Sequence, residues 1–173
     1  MVAGIVLALL VVDLVRTPTA GTTRAQRGYW LSAIVVALTL VPALKRFSLT
    51  SCPWNLVEFG GTAEYVPHWL AGVAAGGPGH CFPSGHALSA FAFFGLYFLW
   101  RPHRPGVARV AMAAVLLLGT LYGFGQLARG AHFVSHTMWS AWLAWTTCLT
   151  AQALYPAMGA RPLSAAALVR PSV

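Results

Sequence analysis

Residues 81–100 read CFPSGHALSAFAFFGLYFLW, and this stretch decides the fold. Its first six residues are polar or turn-forming; everything after His86 is free of charge. Ser84–Trp100 therefore reads as an apolar helix of roughly 25 Å at about 1.5 Å per residue, most of the way across a bilayer core. Pro83 suits the start of a helix, where its missing N–H costs nothing. Ser84 can cap that helix, leaving the N–H groups of Ser84, Gly85 and His86 pointing outward. Such a helix start attracts anions, above all phosphate. His86 adds a titratable group where a leaving oxygen can be protonated. Taken alone, Pro83–His86 reads more readily as a plain helix cap than as a catalytic site. A second polar stretch, RGAHFVSH at residues 129–136, turns the reading toward a site. Arg129 supplies a fixed, forked cation, and His132 and His136, four apart, share one face of a helix.

The composition says what surrounds these two stretches. Of 173 residues, 58% are hydrophobic and only 8% charged, and the mean hydropathy is +0.69. A soluble chain carries about 25% charged residues, so this reads as an integral membrane protein. We expect an all-α, polytopic membrane helix bundle forming a single domain over residues 1–173. The formal net charge of +8 raises a nucleic-acid partner. The cations, however, sit in short loops between apolar runs, as the positive-inside rule requires, and no nucleic acid is expected.

Working outward gives about five spans. Residues 2–15 form an apolar run interrupted by Asp13, short for a span of about 20 residues. No basic leader precedes it and no clean cleavage site follows, which reads against a signal peptide; Asp13 is expected at the membrane interface. Residues 28–44 are uncharged and end at Lys45-Arg46. Residues 47–80 are too rich in Pro and Gly for a span, although Trp69–Ala75 can lie in the interface, with Trp54, Tyr65 and Trp69 as an aromatic belt. After Ser84–Trp100 come an uncharged run at 110–128 and a last span at Met138–Tyr155. Alternation places Arg16, Arg24, Arg27, Arg101, Arg104, Arg109, Arg161 and Arg170 on one face. Only Lys45, Arg46 and Arg129 fall on the other, so the first face is cytoplasmic and the second periplasmic. Lys45-Arg46 is open to two readings, a ligand pair or ordinary snorkelling at a helix end. Cys52 and Cys81 fall on the periplasmic side, where a disulfide can form, or they are two free thiols. Cys148 reads as packing.

The chain resembles the type 2 phosphatidate phosphatase superfamily, which includes bacterial lipid phosphatases and vanadium haloperoxidases. The family's motifs are KxxxxxxRP, PSGH and SRxxxxxHxxxD. The middle motif is intact at Pro83–His86. The first lies over Lys45–Pro53, with Cys52 in place of the motif arginine. The third lies over Gln126–His136, with Gln126 replacing its arginine, His132 on its histidine and His136 replacing its aspartate. Arg129 stands about one helical turn nearer His132. The resemblance covers about residues 28–157; the family's membrane members usually have six spans against the five counted here, so the first is the one expected to be absent.

By this resemblance His132 is the nucleophile, forming a phosphohistidine, and His86 protonates the leaving oxygen. His136 then orients His132 as a neutral acceptor. A second alignment makes His136 the nucleophile with Ser140 as its orienter. Lys45, Arg129, Ser84 and Gly85 would hold the phosphate, since phosphoryl transfer rests on positioning and charge stabilisation. No metal or cofactor is expected. The histidines could bind zinc, but the nearby cations would repel it. A site at the outer boundary of the bacterial inner membrane suits a lipid phosphate or diphosphate, hydrolysed or transferred to a second lipid. A non-catalytic lipid-phosphate binder is the reading that the lost arginine and aspartate favour.

Overall fold

The computed structural model describes residues 2–15, 21–70, 72–73 and 76–155. Five helices account for the regular structure: α1 (Val2–Val15), α2 (Arg24–Arg46), α3 (Gly85–Trp100), α4 (Pro105–Ala128) and α5 (Val134–Leu154). Among the described residues there is no β-strand, only an isolated bridge between Leu56 and Ala63. Each apolar run is thus a helix, but several begin earlier than the run itself. A hydropathy run ends at its first charge, whereas a helix ends where its backbone bonds run out. Thr23 opens α2 with a capping box: its hydroxyl accepts from Gln26 N at 3.1 Å while its own N–H donates to Gln26 Oε1 at 2.8 Å. Pro105 opens α4 in its first turn.

α3 is the central element. It packs against α2, α4 and α5 and also touches α1. Its side chains from Ala87 to Leu99 form much of the core, with Trp30, Ile34, Ala37 and Val41 of α2, Val115 of α4, and Ala144 and Cys148 of α5. The Trp30 and Phe98 rings stack at 5.2 Å. α3 tightens to a 3-10 turn over Ala92–Phe94. Gly119 lets α4 approach it closely, because a Cβ there would stand 2.2 Å from the Phe91 ring. Cys148 is buried and unbridged, packed in the core.

Asp13 does not simply face an interface. Its carboxylate pairs with the buried Arg27 guanidinium at 3.0 Å, tying α1 to α2. α2 and α4 are long and apolar enough to cross a membrane; α1 and α3 are shorter apolar helices. Large apolar side chains stand exposed along the bundle, including Val36, Val110, Leu117, Phe124, Met138 and Trp142. The Trp69–Ala75 segment falls partly outside the described residues, as do Arg16, Arg161 and Arg170 entirely. The 47–80 connection contains two 3-10 turns, Pro53–Asn55 and Val57–Phe59.

Candidate functional site

The loop ahead of α3 is stitched to both neighbours before it turns into helix. His80 N–H donates to Ser48 O at 2.7 Å and Cys81 N–H to Thr50 O at 3.0 Å. The His80 ring lies 3.2 Å from Lys45 O, at the end of α2. Cys52 and Cys81 are joined by a disulfide with Cα atoms 5.1 Å apart. Trp54 N–H then donates to Gly130 O at 3.0 Å, and the Arg129 guanidinium lies over the Trp54 ring at 5.7 Å. The end of α2, the loop after it and the α4–α5 turn thus meet at the start of α3.

Ser84 occupies the N-cap position of α3, but it does not cap as its sequence suggests. Its side chain makes no cap bond. Its N–H is not free either: it donates to His136 O at 3.3 Å. The Ser140 hydroxyl holds the same junction, 2.8 Å from Ser84 O and 2.9 Å from His136 O. With its hydroxyl facing backbone carbonyls, Ser140 does not orient the His136 ring, as the second alignment required. Pro83 lies two residues ahead of α3 rather than in its first turn. What the helix start offers is the N–H groups of Gly85, His86 and Ala87, which have no acceptor within the helix. The buried Ser84 Oγ has no hydrogen-bond partner, and a Cβ added to Gly85 would meet nothing within 4 Å. The helix start is thus an open cradle at Gly85, with free N–H groups, while the unpartnered Ser84 Oγ is buried beside it in the chain.

The second stretch closes over the cradle. Gly130, at φ +69°, turns the chain out of α4, and Gln126 O accepts from Ala131 N and His132 N at 2.8 and 3.3 Å. His132 therefore precedes α5 instead of lying on it, and only His136 is helical. The two still meet, Nδ1 to Nδ1 at 3.3 Å, both buried. The Oε1 of Gln126, where the family motif has arginine, is buried without a partner. Cys52, which replaces the other motif arginine, is committed to the disulfide.

Electrostatics set the state of His132. Burial, then the positive charge of Lys45, then His86, and lastly Arg129 push its pKa down to about 4, against a raising hydrogen bond with the Cys81 backbone. The ring is therefore neutral near pH 7, with one nitrogen free to act as a base or nucleophile. Lys45, His86 and Arg129 lie close enough to His132 for their charges to act on it, with Lys45 half-buried and His86 and Arg129 exposed.

His68 and Phe82 complete the wall, and the sequence reading missed both. Their rings stack at 4.5 Å, and both stand edge-on to His136, at 5.9 and 5.3 Å. The one available signal was a histidine in an aromatic-rich loop. Among the described residues, Cys81, His132 and His136 are grouped closely enough to share a metal ion, with donor atoms within 4.8 Å of one another. His86 is not in that group, and the Cys81 sulfur is committed to the disulfide. A sequence model of the PAP2 superfamily matches residues 28–159. No curated protein and no solved structure matches the chain.

Proposed function

The chain belongs to the PAP2 superfamily, which implies phosphatase-type activity, and from that premise we propose a membrane lipid phosphatase working through a phosphohistidine on His132. The observation that carries this reading is the buried neutral His132, held against His136 and facing three cationic or titratable side chains. The contact between the two Nδ1 atoms needs one proton between them. With that proton on His132, His136 is the acceptor and the His132 Nε2 lone pair is free to attack phosphorus. Negative charge then grows on the phosphoryl oxygens. Lys45, Arg129, the Ser84 hydroxyl and the N–H groups at Gly85 and His86 offset it. His86, as the imidazolium, gives its proton to the leaving oxygen, and water later attacks the phosphohistidine with the now neutral His86 as base, returning His132, the His86 imidazolium and inorganic phosphate. No step uses a metal or cofactor.

The lipid nature of the substrate rests on the surroundings. α2 and α4 have the length and apolarity to cross a bilayer, and exposed apolar side chains cover the bundle's outside. An apolar groove lined by Val6, Ala90, Phe93, Val115 and Tyr122 begins beside Ser89, which bonds to His86 O, and suits an acyl chain. The distribution of cations favours a multi-pass chain in the bacterial inner membrane with this site on the periplasmic side. The test is phosphate release from mixed micelles of lipid phosphates and diphosphates, with purified protein in EDTA. Release from at least one lipid is expected. Binding without release would make the protein a lipid-phosphate binder, and transfer to a second lipid would make it a phosphotransferase.

Two further results follow. Lys45→Ala and Arg129→Ala should each lower kcat/KM at least tenfold, since charged hydrogen bonds are worth about 1.5–3 kcal/mol. Arg104→Ala should be silent, because Arg104 is exposed at the opposite end of α4 from Arg129; comparable losses from Arg104 and Arg129 would contradict this placement. NMR titration of the His132 ring, assigned with His132→Ala, should show a midpoint near 4, not 6.5. The sign for stability follows. Between those values the unfolded chain binds the extra proton and the folded chain does not, so acidification through that window weakens the fold.

A further inference from the structure

The group Cys81, His132 and His136 lies where the proposed reaction needs His132, yet that reaction uses no thiol. We infer that reducing the Cys52–Cys81 disulfide converts this site into a four-ligand zinc site made of Cys52, Cys81, His132 and His136. The distances support three of its four members, Cys81, His132 and His136, whose donor atoms all lie within 4.8 Å of one another. A tetrahedral zinc ion with Zn–N near 2.05 Å and Zn–S near 2.3 Å has ligand-to-ligand edges of about 3.3 Å between nitrogens and about 3.6 Å between nitrogen and sulfur. The His132 and His136 Nδ1 atoms are 3.3 Å apart, and Cys81 Sγ is 3.5 Å from His132 Nδ1. Two edges of the tetrahedron are thus already in place, between buried residues. Cys52 lies outside that close group, but its sulfur is bonded to that of Cys81, so once freed it can rotate to complete the set. Freed from each other, the two sulfurs need to part to about 3.8 Å, which χ1 rotations allow at a Cα separation of 5.1 Å.

The charges also balance. Lys45 and Arg129 argue against zinc on neutral histidines alone. Two thiolates cancel the charge of the ion, so the complete complex is neutral and the cations no longer oppose it. The step needs a dithiol reductant, which gives two electrons and two protons to the S–S bond and leaves as its own disulfide. The ion then takes both Cys sulfurs as thiolates, releasing two protons. It takes both histidines through Nδ1, and whichever ring held the shared proton moves it to Nε2.

The test uses the full chain in detergent and cobalt(II) as the probe, with metal binding itself as the readout, so its outcome does not depend on the phosphatase reading. After reduction with a phosphine and removal of the reductant, one equivalent of cobalt should give thiolate-to-cobalt charge-transfer bands and the strong visible bands of tetrahedral coordination. Zinc should bleach both. The oxidised protein should give neither. His136→Ala and His132→Ala, kept reduced, should lose the tetrahedral spectrum. Because Cys→Ser variants can fail to fold, reduced wild-type protein alkylated with iodoacetamide serves as the second control and should also be silent. Equal binding by oxidised protein, a spectrum without thiolate bands after reduction, or loss of helical dichroism on reduction alone would overturn the assignment.

Discussion

Replacing His132 with alanine should abolish phosphate release, lowering kcat by roughly 10⁴-fold or more, the scale of loss when a covalent nucleophile is removed. The variant should keep its helical dichroism. The ring lies between α4 and α5 and donates nothing to the backbone ladder, since the turn is held by Gln126 O accepting from Ala131 N and His132 N. Labelled substrate quenched in base should leave phosphate on His132 in the native chain and none in the variant. His136→Ala makes a different demand. It removes the partner 3.3 Å from His132 Nδ1 but leaves the nucleophile, so residual turnover should survive. That asymmetry separates the two alignments of the third motif. Label on His136 would reverse the roles. The geometry favours His132 for a further reason: the Ser140 hydroxyl, which the other alignment needs against the His136 ring, lies against two backbone carbonyls instead.

Much of the architecture was legible because long apolar helices announce themselves by uninterrupted apolar runs. The runs at 28–44 and 110–128 lie within helices that start earlier, and the run at 138–155 falls in a helix that starts at Val134 and ends at Leu154. Those starts depend on the Thr23 capping box and on Pro105, which a hydropathy reading passes over. Pro83–His86 stands at the start of α3, and the His132 and His136 Nδ1 atoms meet at 3.3 Å, although His132 lies ahead of α5 and the shared helix face expected of the four-residue step is not what joins them. The arrangement was illegible where tertiary placement decides. Whether Ser84 caps its helix depends on which carbonyl its N–H reaches, and that carbonyl belongs to His136, 52 positions away in the chain. His68 and Trp54 sit in a Gly- and Pro-broken loop with no periodicity, so nothing local assigned His68 to the His136 wall or Trp54 to the face of Arg129. Asp13 looked like an interfacial residue because its partner Arg27 is on another helix.

Cys52→Ser and Cys81→Ser should each destabilise the fold by about 3–4 kcal/mol, and the double variant should be no worse than either. The bridge spans a sequence separation of 29, and closing a loop of about 30 residues is worth that much in the chain-entropy model. For a chain of this size the thermal midpoint should fall by about 10 °C. Activity should fall as well, because the bridge fixes the loop that carries Lys45's neighbours against the cradle. The backbone bonds from His80 to Ser48, Cys81 to Thr50 and Trp54 to Gly130 remain in the variants, and they should keep the loop near its place. The losses should therefore be partial and alike in the two single variants, with Lys45 and Arg129 still needed. The native protein extracted without reductant should weigh two hydrogens less than the free-thiol form. Two readily alkylated thiols in that preparation, or single variants that differ from each other, would show that Cys52 and Cys81 act separately and that the cradle is held by its backbone bonds alone.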